Sequence, residues 1–275
     1  MKKLRFYLKY DIKQLFKRNT TKCFYIFLFI VAILDIFCTY WTQSGFFEDI
    51  SEMSVTHYVF LENSTSIVRD FYFSFIPILA VIPFGLQYYC EKKSKYREYL
   101  LYRGSRKSYY LSKFIMSFMS GFFTIFFFLI VNYIIVHLIY PNNSSIGSTF
   151  LKPDKGAFLE DIFYMNVNLY QFIYIIINSI IGGIISILSL SLSMIFNYKN
   201  GFLVIAVSFI IYSIQSVVLF FVDINYDIMH IIQPATRWAL AEPITNADVI
   251  ISISACFILS TILFIVGCRK ERDIL

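Results

Sequence analysis

Charge is what this sequence has least of. Only 15% of its 275 residues are charged and 58% are hydrophobic, against about 25% and about 45–50% in ordinary soluble domains. A soluble fold has no interior large enough for that much apolar surface, so the composition excludes one. Histidine is scarce as well: His57, His137 and His230 are too scattered to complete a metal site, and none of the five cysteines, Cys23, Cys38, Cys90, Cys256 and Cys268, forms a CxxC pair. Each cysteine lies inside an apolar run or at its edge, which argues against a disulfide framework. No two of the ten glycines have the GxxxxGK[ST] spacing of a phosphate-binding loop. Any ATP that powers this chain must therefore be hydrolysed on another polypeptide, and no metal, catalytic residue, cofactor or nucleic-acid partner is expected for the chain itself.

What is present is a series of long uncharged apolar runs. A bilayer core about 30 Å thick needs about 20 helical residues, and six segments qualify: Cys23 to Trp41, Phe71 to Tyr89, Phe114 to Tyr140, Gln171 to Phe196, Phe202 to Val222 and Val249 to Gly267. The first is too long for a signal-peptide core and lacks a cleavage pattern after Trp41. Only residues 197–201, Asn-Tyr-Lys-Asn-Gly, separate the fourth and fifth, so that pair is a tight helical hairpin. The expected fold is an all-α membrane protein, one domain over residues 1–275, with six transmembrane helices and an N-terminal interfacial amphipathic helix.

Orientation follows from the basic residues, which are retained on the cytoplasmic side. Residues 1–22, residues 91–113, Lys199 and the tail hold 20 of the 24 Lys and Arg. The connections 42–70, 141–170 and 223–248 hold twelve of the eighteen acidic residues. Both termini are therefore expected in the cytoplasm.

Two basic segments are more than topological signals. Within residues 1–22, Leu4, Leu8, Ile12 and Leu15 recur at helical spacing with Lys2, Lys9, Lys13 and Lys17 on another face. Such a helix lies in the lipid interface with its apolar stripe in the acyl boundary; the plainer alternative is a positive-inside signal that happens to be helical. Residues 91–113 form a connection of 23 residues, where links between bundled helices usually take about 2–8. Tyr96, Tyr99, Leu100 and Arg103 share one side of a short helix there, and Gly104 suits its C-terminus. This segment fits a groove on a cytoplasmic partner, or else lies against lipid and binds nothing.

The order of these features carries a resemblance. A glutamate leaving the second span, Arg97-Glu-Tyr-Leu-Leu101, Arg103-Gly-Ser-Arg106 and Tyr109-Tyr-Leu-Ser-Lys113 together resemble permease subunits of type 2 ATP-binding-cassette exporters, as do the amphipathic start, the six spans and the Arg272-Asp-Ile-Leu275 ending. The resemblance implies that residues 91–113 are a cytoplasmic coupling segment and that Tyr96, Arg97, Glu98, Tyr99, Leu100, Leu101, Arg103, Gly104 and Arg106 dock on an ATPase subunit, which binds ATP and Mg. It further implies a second permease subunit as partner, and a bacterial plasma membrane as location.

Inside the spans, Asp35 is the one carboxylate, and an intramembrane carboxylate is costly enough to be a candidate for function. Asn178 lies at similar depth, so a hydrogen bond between the two is expected to hold the bundle or gate its outer mouth; His137 or Gln215 are the other possible partners of Asp35. Ser179, Gly182, Gly183 and Ser186 form a stripe of small residues that lets helices approach closely, either within the chain, at a permease–permease interface, or along a substrate path. Pro77 and Pro83 are expected to kink the second span. Ile231 to Leu240 is too apolar for a free loop and reads as a re-entrant or interfacial helix anchored by Trp238. The leading function is ATP-driven export of an amphipathic or lipophilic substrate, peptides included. A non-transporting immunity or sensor protein on the same scaffold is the alternative, and an intramembrane enzyme fits poorly because Asp35 has no second carboxylate beside it.

Overall fold

A computed structural model of the chain describes residues 2–43, 58–61, 63, 66–103, 105–140, 153, 155–196, 198, 200–234 and 243–273. Among these the regular structure is helical throughout: α1 (Lys2–Lys17), α2 (Asn19–Gln43), α3 (Ile67–Val81), α4 (Gly85–Lys93), α5 (Tyr96–Arg103), α6 (Arg106–Ile139), α7 (Glu160–Met165), α8 (Val167–Ile195), α9 (Gly201–Val222), α10 (Ile228–Ile231) and α11 (Asn246–Asp273). Six stretches are long and apolar enough to cross a bilayer: Asn19–Thr42, Ile67–Lys93, Arg106–Ile139, Val167–Ile195, Gly201–Val222 and Asn246–Glu271. The chain is a multi-pass membrane protein with the six spans its sequence predicts. Ion pairs from Lys113 to Asp11 and from Lys92 to Glu271 put the start of α1 and the end of α11 at the same end of the bundle, called here the basic end.

The first, second, third and sixth spans run about one to two turns past their apolar runs at that end. The added residues include Lys113 and Glu271, both fully buried, so the chain stays helical where hydropathy alone would have released it to water. In the second span α3 starts on Ser66, whose side chain accepts from the Arg69 amide at 3.1 Å. It stops where Pro83 supplies no donor, and α4 resumes after the Gln87 amide has bonded to the Phe84 carbonyl at 2.8 Å. Pro77 lies inside α3 without interrupting it, so the helix is broken at Pro83 alone.

The fourth span is the hub. Of its most apolar window 78% is buried within the protein, against 17% for α9 and for α11, which face lipid. The small stripe makes this possible. Ser117 of α6 donates to the Ser186 carbonyl at 2.8 Å, and a Cβ built on Gly121 would stand 2.5 Å from the Gly182 carbonyl oxygen. A Cβ on Gly183 would stand 2.7 Å from the Phe118 ring. Ser179, Gly182, Gly183 and Ser186 are thus on the side of α8 that packs inside the chain. On another side Ser191 donates to the Ser260 carbonyl of α11 at 3.2 Å.

The N-terminal helix differs from expectation. Tyr7, Asp11 and Leu15 are its buried positions and it packs on α6, whereas Ile12 is exposed. Of the expected stripe, Leu15 is buried, Leu4 and Leu8 are half-buried and Ile12 is exposed, so the side packed on α6, centred on the Asp11 carboxylate, coincides with it only in part. In the connection between α9 and α11 the described residues reach Pro234 and resume at Pro243; α10 is buried at Ile228 and Ile231, while residues 235–242, Trp238 among them, lie outside the described residues.

Because the Gly121 contact is with a backbone oxygen that has no free rotation, Gly121→Ala should force α6 and α8 apart. The expected loss is about 1–3 kcal/mol, seen as a melting temperature in detergent lower by about 2–10 °C. Ile134→Ala, at a lipid-facing position of the same helix, should move it much less. Equal melting temperatures for Gly121→Ala and the parent would refute the close approach.

Candidate functional site

Five helices meet at the basic end around two sets of buried charges. In the first, the ammonium of Lys113 on α6 donates to Asp11 Oδ1 of α1 at 2.7 Å and to Glu91 Oε1 of α4 at 2.6 Å. Gln87 Nε2 also bridges the two carboxylates, at 3.1 and 3.0 Å. The outer oxygens are taken as well: Ser112 donates to Asp11 Oδ2 at 2.8 Å and the Tyr109 hydroxyl to Glu91 Oε2 at 2.7 Å. The Lys113 charge also lies 5.5 Å from the centre of the Phe84 ring and 5.2 Å from that of Tyr109. A buried ion set is tolerable only when its remaining hydrogen-bonding capacity is filled, and all four carboxylate oxygens here have donors. Burial still pushes the Asp11 carboxyl above its ordinary range, with Lys113 pulling the other way.

In the second set, Glu271 near the end of α11 is fully buried and accepts from Arg97 of α5 and from Lys92 at 2.6 Å. Arg97 also donates to the Tyr88 hydroxyl at 3.2 Å. Burial opposes the Arg97 charge, but Tyr88 and Glu271 outweigh it and leave its pKa raised. The sets are joined by packing of Tyr7, Tyr88, Leu100, Tyr109 and Tyr110, and by the Tyr7 hydroxyl, which donates to the Leu100 carbonyl at 2.8 Å. Together they tie α5 to α1, α4, α6 and α11.

This geometry corrects the expected docking face. Leu100, read as an exposed anchor, is 2% exposed and belongs to the core, and Arg97 is buried in its pair with Glu271. Leu101 is half-buried, while Tyr96, Glu98, Tyr99 and Arg106 are exposed. The side chain of Arg103 and all of Gly104 lie outside the described residues. The stripe that faces away from the bundle is Lys95, Glu98, Tyr99 and Tyr102, at the steps i, i+3, i+4, i+7. Tyr102, absent from the expected set, is 90% exposed, the most of any large hydrophobic residue described.

The expected bond between Asp35 and Asn178 is absent. Asp35 is buried and accepts from Ser66 and, at 3.2 Å, from Asn132 Nδ2. Asn178 accepts from the Tyr72 hydroxyl at 3.2 Å and donates to the carbonyls of Tyr174 and Ile232 at 2.9 and 3.1 Å. The two residues belong to separate networks, and neither His137 nor Gln215 bonds to Asp35 among the described residues. Through Ser66, the residue that caps α3, and through Asn132, whose side-chain oxygen accepts from the Phe60 amide at 3.2 Å, Asp35 fastens the described residues that precede α3 to α2 and α6. No group of three metal-ligating side chains occurs among the described residues.

Lys113, Glu91, Glu271 and Asp11 were passed over in the sequence because each sits among other charges that solvate. One signal was available: Asp11 is the only acid in a helix full of lysines, and it falls on the Leu4, Tyr7, Leu15 side of that helix.

Removing Lys113 tests the clamp. Lys113→Met leaves two carboxylates bridged only by Gln87, and breaking a buried pair in this way costs about 3–5 kcal/mol. Asp11 holds its proton more tightly in the folded than in the unfolded chain, so above its ordinary value of 3.8 a falling pH favours the folded state. Without the opposing ammonium this trend should steepen. Melting temperatures between pH 5 and 8 should thus show a large deficit at neutral pH that narrows on acidification, and a deficit independent of pH would contradict the ion set.

No protein-family model matches this chain, no curated protein matches it, and no solved structure matches it.

Proposed function

We propose that this protein is the transmembrane permease subunit of an ATP-driven exporter of the type 2 ATP-binding-cassette kind, with both termini in the cytoplasm of a bacterial cell. In this reading ATP and Mg are bound by a separate ATPase subunit, and α5 is the coupling helix on which that subunit docks. The observation that carries the reading is the two-sidedness of α5. One side presents Tyr99 and Tyr102 with Lys95 and Glu98 around them, a pairing of aromatic anchors and flanking charges suited to a groove. The other side is held by Leu100 and by the buried pair of Arg97 with Glu271.

A docking helix that only bound would need no such tether. One that moves spans needs its displacement carried inward without slack, and a buried ion pair that Tyr88 and Lys92 also bond to is a stiff link. The orientation rests on the 20 basic residues gathered at this end and its connections. The apolar cavity between α8, α9 and α11, about 100 Å³, is smaller than the roughly 300 Å³ at which ligand pockets begin. A path for an amphipathic or lipophilic substrate is therefore assigned to the junction with a second permease subunit.

The test is affinity purification of the tagged protein from its own membranes, with the co-purifying ATPase identified by mass spectrometry. Replacing Tyr99 and Tyr102 by Asp should lower the recovered ATPase at least tenfold, as expected for losing two aromatic anchors; Tyr102→Asp alone should lower it with the melting temperature unchanged, because Tyr102 is 90% exposed, whereas Tyr99 also stacks on Tyr96 with ring centres 5.7 Å apart. An ATPase that stays bound to the double variant, or its absence from the parent preparation, would overturn the assignment.

A further inference from the structure

A second feature of the basic end is not used by the clamp. The first turns of α6 and the last turns of α11 enclose a cleft of about 460 Å³. Its rim is cationic, with Arg106, Lys107 and Arg269, and its wall is apolar, with Leu111, Phe264 and Ile265. The three cations are exposed and form no ion pair among the described residues, unlike Lys92, Arg97 and Lys113 close by. Tyr110 also lines the cleft; it is only 8% exposed, and its buried hydroxyl has no hydrogen-bond partner. That hydroxyl is closed off from the cleft's open space, so what the cleft offers a ligand is its three cations and its apolar wall.

The position narrows what the group is. α6 has 34 residues and at about 1.5 Å per residue is some 50 Å long, well beyond a hydrocarbon core of about 30 Å. Arg106, Lys107, Arg269 and Lys270 mark where its basic end leaves that core, at headgroup level. A molecule there that is anionic at one end and apolar at the other is a lipid. Basic pockets between spanning helices on one side of a membrane have this chemistry.

We propose that this cleft binds an anionic phospholipid, its phosphate against Arg106, Lys107 and Arg269 and its acyl chain along Leu111, Phe264 and Ile265. The lipid would bridge α6 and α11, the two long helices that carry Lys113 and Glu271. The assignment does not depend on whether an ATPase docks on α5.

Native mass spectrometry of the protein in mild detergent, titrated with phosphatidylglycerol, phosphatidylcholine or glycerol 3-phosphate, tests it. Phosphatidylglycerol should bind at least tenfold more tightly than phosphatidylcholine. The triple variant R106Q/K107Q/R269Q should lose about a hundredfold of that affinity, each cation being worth about a factor of five. That variant should not melt earlier than the parent without lipid, since all three side chains are exposed. The control K9Q/K13Q/K17Q removes three exposed cations from α1 and should bind as the parent does. Undiminished binding by the first triple variant, equal losses in the control, or equal binding of phosphatidylcholine would overturn the proposal. Glycerol 3-phosphate binding as tightly as the lipid would also overturn it, the cleft then being a site for free phosphate.

Discussion

The contact of the Lys113 ammonium with the carboxylates of Asp11 and Glu91 is the constraint on which the rest of the basic end depends. Three charges with almost no exposure to solvent would each cost several kcal/mol alone. They persist because Gln87, Ser112 and Tyr109 complete their hydrogen bonding. Completeness makes the arrangement demanding. α1, α4 and α6 must each arrive at one register and one depth, since a displacement of a single turn would leave a buried charge bare. Apolar packing against lipid imposes no such demand, because lipid tails and leucine side chains are nearly interchangeable partners.

The register set at the basic end is carried through the membrane by α8. A helix with serine or glycine at so many contact positions can be approached on several sides, and the closeness to α6 at Gly121 and Gly182 leaves little freedom to slide. At the acidic end the fastening is of another kind. Asp35 is held by neutral donors, Ser66 and Asn132, and the segment around Phe60 and Asn63 is tied to α6 and α2 by amide and hydroxyl bonds. Around it Phe60, Tyr72 and Phe128 pack edge to face or stacked, with ring centres 5.0–5.6 Å apart. A second buried carboxylate, Asp227, accepts from Ser216 at 2.7 Å and lies 2.8 Å from His230 Nδ1. One end of the bundle is held by shared ion pairs, the other by separate carboxylates and aromatic packing.

What could be read from the sequence follows the same physics. The spans were legible because the bilayer tests each helix by itself: its length and hydropathy suffice, and all six are found where the apolar runs lie. The small stripe on α8 was legible because glycine and serine at three- and four-residue steps mark a close approach, although its partner, α6, was not. Pairings between helices were not legible. Asp35 and Asn178 share a depth, yet depth does not fix the rotation of a helix about its own axis, and Asn132 and Tyr72 were the residues that faced them. Leu100 was misplaced for a related reason. On a helix of eight residues either of two adjacent stripes fits the 3.6-residue period, and only contacts with Tyr7 and the Arg97–Glu271 pair decide which one turns inward.

The Glu271 set extends this order to α11 and, through it, back to the hub. Arg97 joins α5 to Glu271 of α11, and α11 is fastened to α8 by directional bonds at two levels: Lys270 donates to the Ile195 carbonyl at 2.7 Å and Ser191 donates to the Ser260 carbonyl at 3.2 Å. Between them Gly267 lets α11 come so close to α8 that a Cβ there would stand 2.8 Å from the Met194 Cβ. Apolar contacts resist compression but slip under shear, whereas directional bonds transmit both push and pull. A displacement of α5 therefore reaches α11 and the hub together, beside the Lys113 set that fixes α1, α4 and α6.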